Sequence, residues 1–296
     1  MKAANQFHPL LEGAYEMHVH SSPSIFPRKQ TDWDLVQDAV QAGMAGLVLK
    51  AHEGVTYDRA TLLQEKHPEL AVHGGLVCNI YSGGLSPHSV SMALQMGAKI
   101  IWMPTISAEQ HQRYFAEHQK DRFFNSNKSL DYSQSLLKVM DDNHKRVKDE
   151  VKKILSLVAE YDAILATGHL APNEVTPLVE EAKAAGVTKI LIQHADLGIA
   201  QIPIDQQKEL AQKGCLIEKC YLACSEDFDN LTVGEMAATI HTLGPDSCVL
   251  VTDYGQQHNV APIEGMSKFI EELLESGITE TEITTMIKTN PEKLLK

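Results

Sequence analysis

The sequence has no Cys-x-x-Cys pair, no lysine/arginine run and no uninterrupted apolar stretch long enough to span a bilayer. Its five cysteines (Cys78, Cys215, Cys220, Cys224 and Cys248) stand singly. Cys78 and Cys248 lie in apolar runs, as buried reduced thiols do, and all five read as structural free thiols. Cys224, beyond a strand end, can also line a pocket. Without a basic run, a formal net charge of −13 from 26 basic and 39 acidic residues argues against nucleic acid or an anionic membrane as partner. Either would need a concentrated positive surface. The opening Met1–Gln6 lacks the apolar core of a signal peptide, so a cytoplasmic protein is expected.

What is present is an ordinary globular composition, 43% hydrophobic and 22% charged over 296 residues. That length suits one α/β barrel. Apolar strand-like runs alternate with amphipathic helical runs. The expected strands are Ala14–His20, Ala45–His52, Ala71–Asn79, Ala98–Thr105, Asp162–His169, Lys189–Ala195, Gly214–Cys220 and Ser247–Tyr254. Several are almost wholly apolar, as parallel strands covered on both faces must be. Thr31 and Asp34 spell a capping box before a stripe of Leu35, Val36, Ala39 and Val40. A helix is expected over Pro177–Ala185, stopped by Gly186. Helix, glycine, strand recurs at Gly43, Gly97, Gly186 and Gly214. Strand starts recur at about 25 to 33 residues, the spacing of βα units, apart from one double interval. Eight such units predict a single (β/α)8 TIM-type barrel over 1–296. The double interval holds an insertion, 106–143, with Tyr114, Phe115, Phe123 and Phe124. It is open to reading as a lid, an oligomer contact or a disordered loop. Two helices are expected from Ile263 to Lys296.

Barrel chemistry gathers at the carboxyl ends of the strands. Reading those ends in order gives His18 and His20, Lys50 and His52, Asn79, Thr105, His169, His194, Glu218 and Asp253. His18 and His20 alternate to the same side of their strand and can grip one divalent ion. His169 and His194 join them, because imidazoles crowded round one cavity are costly unless a cation satisfies them. Asp253, after a strongly apolar strand, needs a cationic partner and is suited to take a proton from an activated water. His67, His111, His118, His144 and His241 fall in predicted helices or loops and are expected at the solvated surface.

This ordered set, His-x-His after the first strand, His after the fifth and sixth, Asp after the eighth, resembles the amidohydrolase superfamily of metal-dependent hydrolases. The closing Thr289–Leu295 is similar to that superfamily's last helix, and the neighbourhood of the His-x-His pair resembles a poorly characterised branch. The resemblance implies a distorted barrel in which His18, His20, His169, His194 and Asp253 hold one or two divalent ions, with Asp253 as general base. The fourth strand, ending Met103-Pro104-Thr105, lacks the bridging carboxylated lysine or glutamate of two-metal members. One ion is therefore favoured over two, zinc first, with manganese, iron and nickel as alternatives.

Lys50 and His52 have competing roles: a carboxylated lysine, an extra histidine ligand, or a pair that holds an anionic substrate. The plainer alternative pairs Lys50 with an acid such as Glu218. Arg28 can clamp a carboxylate or phosphate or be an exposed surface arginine, and Tyr81 can line the pocket or serve packing. The backbone of Ser82–Pro87 can cradle an anion, or its Gly-Gly turn can serve backbone geometry alone, the commoner case. The expected function is hydrolysis of an amide, lactone or other ester of a small molecule, with Asp253 and His194 catalytic, in a homo-oligomer. His194 or His169 can also donate to a developing oxyanion. A decarboxylase on the same barrel, a phosphoesterase and a non-catalytic metal-binding barrel are the alternatives.

Overall fold

Each of the eight apolar runs forms a strand, shorter than the run itself. The structure is a computed structural model and describes residues 7–118, 136–141, 143, 145–225, 228 and 231–296. The strands are β1 (Tyr15–Val19), β2 (Gly46–Leu49), β3 (Ala71–His73), β4 (Gly75–Val77), β5 (Ile100–Trp102), β6 (Ile164–Ala166), β7 (Ile190–Ile192), β8 (Leu216–Cys220) and β9 (Cys248–Val251). β3 and β4 are halves of one expected strand, parted at Gly74. All pairings are parallel, β1-β2-β3 in one ladder and β4 to β9 in order in the other.

The part at Gly74 has a local cause. A Cβ there would lie 2.3 Å from the Thr56 carbonyl oxygen, because Thr56 is wedged against this strand. Its hydroxyl donates to the Leu49 carbonyl at 2.7 Å and accepts the Gly75 amide at 2.9 Å. The opposite seam, between β1 and β9, is closed near the carboxyl rim. Asp253 N donates to His18 O at 3.0 Å, and His20 N donates to Tyr254 O at 2.9 Å. Below these, the fully buried Glu16 carboxyl accepts the His18 amide (3.0 Å), the Thr252 amide (3.0 Å) and the Thr252 hydroxyl (2.8 Å). The result is the expected eight-stranded barrel, its strand ladder interrupted at two places.

Helices follow the strands as α1 (Asp32–Gln41), α2 (Tyr57–Lys66), α3 (Pro87–Gln95), α4 (Glu109–His118), α5 (Asp149–Glu160), α6 (Pro172–Ala184), α7 (Ile204–Gln212), α8 (Val233–Leu243) and α9 (Pro262–Glu275). The expected capping box opens α1: Asp34 N donates to Thr31 Oγ1 and Thr31 N to Asp34 Oδ2. The four helix-stopping glycines all take positive φ, 71° at Gly43, 93° at Gly97, 91° at Gly186 and 81° at Gly214, where a Cβ would be strained. One helix boundary differs. α6 starts at Pro172, not Pro177, and Pro177 lies inside it. A proline in the second turn removes one ladder bond, and Pro172 with the Glu174 cap secures the start. The carboxyl-terminal region forms α9 and a second helical stretch, α10 (Glu280–Thr284) and α11 (Asn290–Leu295) joined by a π-helical turn, Thr285–Thr289.

Apolar side chains on the outer strand faces pack under these helices. They form two clusters: Leu47 of β2 with Leu35 of α1 and Ile263 and Phe269 of α9 in one, and Ile217 of β8 with Val90, Ile154 and Leu178 of α3, α5 and α6 in the other. No helix among the described residues is long and apolar enough to cross a membrane. Of the 106–143 insertion, 106–118, 136–141 and 143 are described; Phe123, Phe124 and His144 lie outside the described residues.

Candidate metal centre

Strand alternation sends Glu16, His18 and His20 to the inside of the barrel and Met17 and Val19 to the helices. His18 and His20 then meet Asp253, which β9 delivers from the other side of the seam. His18 Nε2 lies 2.9 Å and His20 Nε2 3.0 Å from Asp253 Oδ1. The second oxygen, Oδ2, faces His194 Nε2 at 4.0 Å. Close approach of the chain is needed here: a Cβ on Gly255 would lie 2.0 Å from the His20 carbonyl oxygen.

Glu218, on the inward face of β8, braces the two imidazoles that reach it. Its Oε2 lies 3.1 Å from His18 Nδ1, and its Oε1 accepts the His194 amide at 3.2 Å. Gln193 Nε2 lies 3.3 Å from the same Oε2. The rings of His18, His20, His52, His169 and His194 form a closed circuit, with neighbouring centroids 4.8 to 5.9 Å apart. His52 is held by Thr105, whose hydroxyl is 2.9 Å from His52 Nδ1 and accepts Asn79 Nδ2 at 2.7 Å.

Burial disfavours every charge in this cluster, and neighbours decide which survive. Burial opposes protonation of His18, but Asp253 and Glu218 outweigh it and raise the imidazole to about 9. Burial pushes against an ionised Glu218, yet His18 brings it down to about 2. Asp253 is likewise held well below the usual carboxylate range by His18 despite burial. Burial lowers His20 to about 3 and His194 to about 4. Glu16, beneath them, is pushed by burial to about 8, against the pull of its amide donors.

Two ring nitrogens are left buried with no hydrogen bond, His169 Nε2 and His194 Nδ1. The latter is 3.3 Å from Glu218 Oε1 but off the line of a bond. An orphaned buried polar atom costs about 1–3 kcal/mol. His194 and Asp253 also adopt positive φ, 54° and 56°, at about 1–3 kcal/mol each for non-glycine residues. The costs at His194 and Asp253 fall where three sets of donors occur, the atoms of each within 4.8 Å of one another: His18–His20–Asp253, His18–His194–Glu218 and His194–Cys220–Asp253. Such nitrogen and carboxylate donors fit a divalent transition-metal ion. Among the described residues, His52 and His169 join none of these sets.

The remaining expected residues are placed unevenly. Lys50 is fully buried, its Nζ 2.9 Å from His18 Nε2 and over the Trp102 ring. Among the described residues it forms no ion pair with Glu218, which faces the imidazoles instead. Arg28 enters the mouth, its Nε donating to Ser24 Oγ at 3.1 Å and its Nη2 3.4 Å from His20 Nδ1. Tyr81 stands half-buried in the turn after β4, on the rim but not among the side chains drawn to Asp253. In the glycine turn after it, the Gly83 and Gly84 amides donate to Ile80 O and Asn79 O.

His111 overturns its surface expectation. It is 2% exposed, and its Nδ1 lies 2.7 Å from His169 Nδ1. That contact occupies one side of His169 and leaves Nε2 free to face the cavity. Its helix, α4, opens the insertion, so the sequence places it among helical surface positions; only the buried Tyr114 and Phe115 beside it hint at an inward face. Glu16 and Glu218 were visible as acids inside apolar strands, a pattern that needs a partner.

A model for a family of unknown function (DUF6282) matches residues 13–218. No curated protein matches the sequence. Among solved structures, an amidohydrolase from Pseudomonas aeruginosa is similar with a TM-score of 0.63 at 11% identity, over 97% of both chains. The phosphotriesterase homology protein from Escherichia coli, solved with phosphate in its active site, gives 0.57 at 11% identity, over 96% of this chain and 99% of that one. The 2,6-dihydroxybenzoate decarboxylase from Rhizobium gives 0.57 at 12% identity, over 96% and 98%. The fold is that of amidohydrolase-type barrels, as the order of strand-end residues suggested.

Proposed function

This chain belongs to the DUF6282 family of unknown function, and from that premise we propose that it is a metal-dependent hydrolase of a small molecule, acting on an amide, lactone or other ester. The observation that carries the reading is the convergence of His18 and His20 on one oxygen of Asp253 while the other oxygen stays open toward His194. His18, His20, His194 and Asp253 would hold one divalent ion, zinc first, with His169 offering its orphaned Nε2 and His52 beside it. When bound, the ion supplies a water of lowered pKa and polarises the scissile carbonyl.

Asp253 takes the proton from the attacking water and returns it to the leaving group. Its backbone, tied across the β1–β9 seam by the bond from its amide to His18 O, holds the carboxylate where that transfer occurs. Glu218 orients His18 and His194; His111 orients His169. Arg28 puts positive charge at the mouth, which favours a substrate with an anionic group, with Lys50, its pKa lowered by burial, deeper behind it. The five unpaired cysteines support a reducing, cytoplasmic setting.

A decarboxylase is the second reading. It is favoured by Thr105, whose hydroxyl is engaged by His52 and Asn79 at the strand end where a bridging carboxylate would stand. A panel of lactones, amides, esters and aromatic carboxylates, run in isotopic water, separates the two: solvent oxygen in the product marks hydrolysis, released carbon dioxide marks the alternative. Asp253→Asn is expected to lower turnover by about 10²–10⁴-fold with the fold intact. Full activity in that variant would remove Asp253 from the role of base.

A further inference from the structure

We propose that the Cys220 thiol is a ligand in this centre, giving a mixed imidazole, carboxylate and thiolate site that selects a thiophilic cation such as zinc over magnesium or manganese. The inference rests on the metal-dependent reading above and adds a donor that reading does not use.

Three features argue for the sulfur as a ligand. Along β8, Glu218 and Cys220 share the inward face while Lys219 between them turns outward to Asp196. Glu218 already touches His18 and His194, so Cys220 stands one step nearer the rim on the same side. Its Sγ, a ring nitrogen of His194 and a carboxylate oxygen of Asp253 lie within 4.8 Å of one another, and all three residues are buried. The thiol rests 3.7 Å from the carbonyl of Thr252, the residue just before Asp253.

The second feature is the division of Asp253. Oδ1 is taken up by His18 and His20, whereas Oδ2 faces His194. The third is the unsatisfied ring of His194, whose Nδ1 is buried without a hydrogen bond. A buried cysteine is ordinarily a small apolar filler. Cys78, Cys215 and Cys248 fit that use; Cys220 alone among the cysteines falls in a group of donors among the described residues. On binding, the S–H bond breaks, the sulfur pair goes to the cation and the proton leaves to bulk water.

Cobalt(II) is the probe, added to the reduced, chelator-stripped full chain. The expected result is cobalt binding with a near-ultraviolet sulfur-to-cobalt charge-transfer band, lost in Cys220→Ser and kept in Cys224→Ser. Zinc affinity in Cys220→Ser falls by at least about tenfold, the least that loss of a direct ligand should cost. Cobalt bound without that band in the unmodified protein, or a band that persists in Cys220→Ser, overturns the thiol ligand while leaving the metal centre standing. No cobalt bound at all overturns both. The spectrum of the unmodified protein needs no variant to fold, and Cys220→Ala checked by circular dichroism provides a second substitution.

Discussion

Two buried polar clusters lie back to back on β7 and β8, and they are built to opposite ends. Behind the strand, Lys219 donates to Asp196 Oδ2 at 2.8 Å, Gln207 Oε1 at 3.1 Å and Thr239 Oγ1 at 2.9 Å. Gln207 Nε2 in turn ties down Ile202 O at 2.8 Å and reaches Ala195 O and Asp196 Oδ1, both at 3.2 Å. The ammonium has its three acceptors. In front of the strand, His169 and His194 keep orphaned nitrogens, and His194 and Asp253 hold a left-handed backbone. A cluster that closes on itself contributes stability. A cluster left open, at a cost of several kcal/mol, is waiting for something to complete it.

The contrast can be broken in order of expected effect. Lys219→Met strands Asp196 in the closed cluster and should cost about 3–5 kcal/mol of stability by chemical denaturation. Metal affinity, measured on the fraction still folded, should change little. An equal loss of both would merge the two clusters into one functional unit.

Next is pH, in metal-free protein. His18 and Glu16 have raised pKa values, about 9 and about 8, so their stability contribution is full below the unfolded values, 6.5 and 4.5, and is lost as pH climbs through the folded ones. His20 and His194, lowered to about 3 and about 4, act the other way: their contribution is present above 6.5 and is lost as pH falls. Glu218, lowered to about 2, loses its contribution as pH falls from 4.5 through that value. Thermal melts with chelator should peak near the histidine value of 6.5 and decline on both sides. A flat profile from mildly acidic to mildly alkaline buffer would contradict these assignments.

His111→Phe keeps the ring against Phe115 but removes the contact to His169. Metal binding should weaken about 10–100-fold, read by competition with a chelator, and the metal-free protein should lose about 1–3 kcal/mol because His169 Nδ1 is left unpaired. The double variant His111→Phe/His169→Leu tests the open cluster most finely, because it removes both ends of the His111–His169 contact together with the orphaned Nε2. Metal-free stability should be equal to that of the unmodified protein or higher by up to about 1 kcal/mol. A large destabilisation would mean that the nitrogen was satisfied after all.

Local patterns carried most of the architecture. Eight apolar runs, helix stripes and glycine stops are readable because each depends on neighbours in sequence, and the strand ends then give the order of the site residues. Pro177 misled because a second-turn proline is tolerated when an earlier proline and cap begin the helix. The Gly83 and Gly84 amides bond within the turn itself, which fits the reading of that stretch as a turn set by backbone geometry. His111 was lost for another reason: its burial depends on how the insertion folds back on the barrel, which no local period encodes. The pairing of Glu218 with His18, 200 residues apart, is also a product of barrel closure, although an acid amid apolar strand residues announced that some partner had to exist.

The most direct measurement is metal content of the full chain after equilibration with zinc and removal of the excess, beside the His18→Asn/His20→Asn double variant. About one ion per chain in the unmodified protein and close to none in the variant is the predicted result, since both imidazoles of the first strand are withdrawn. Equal metal in the two proteins, or none in either, would contradict a cation held by the barrel's imidazoles.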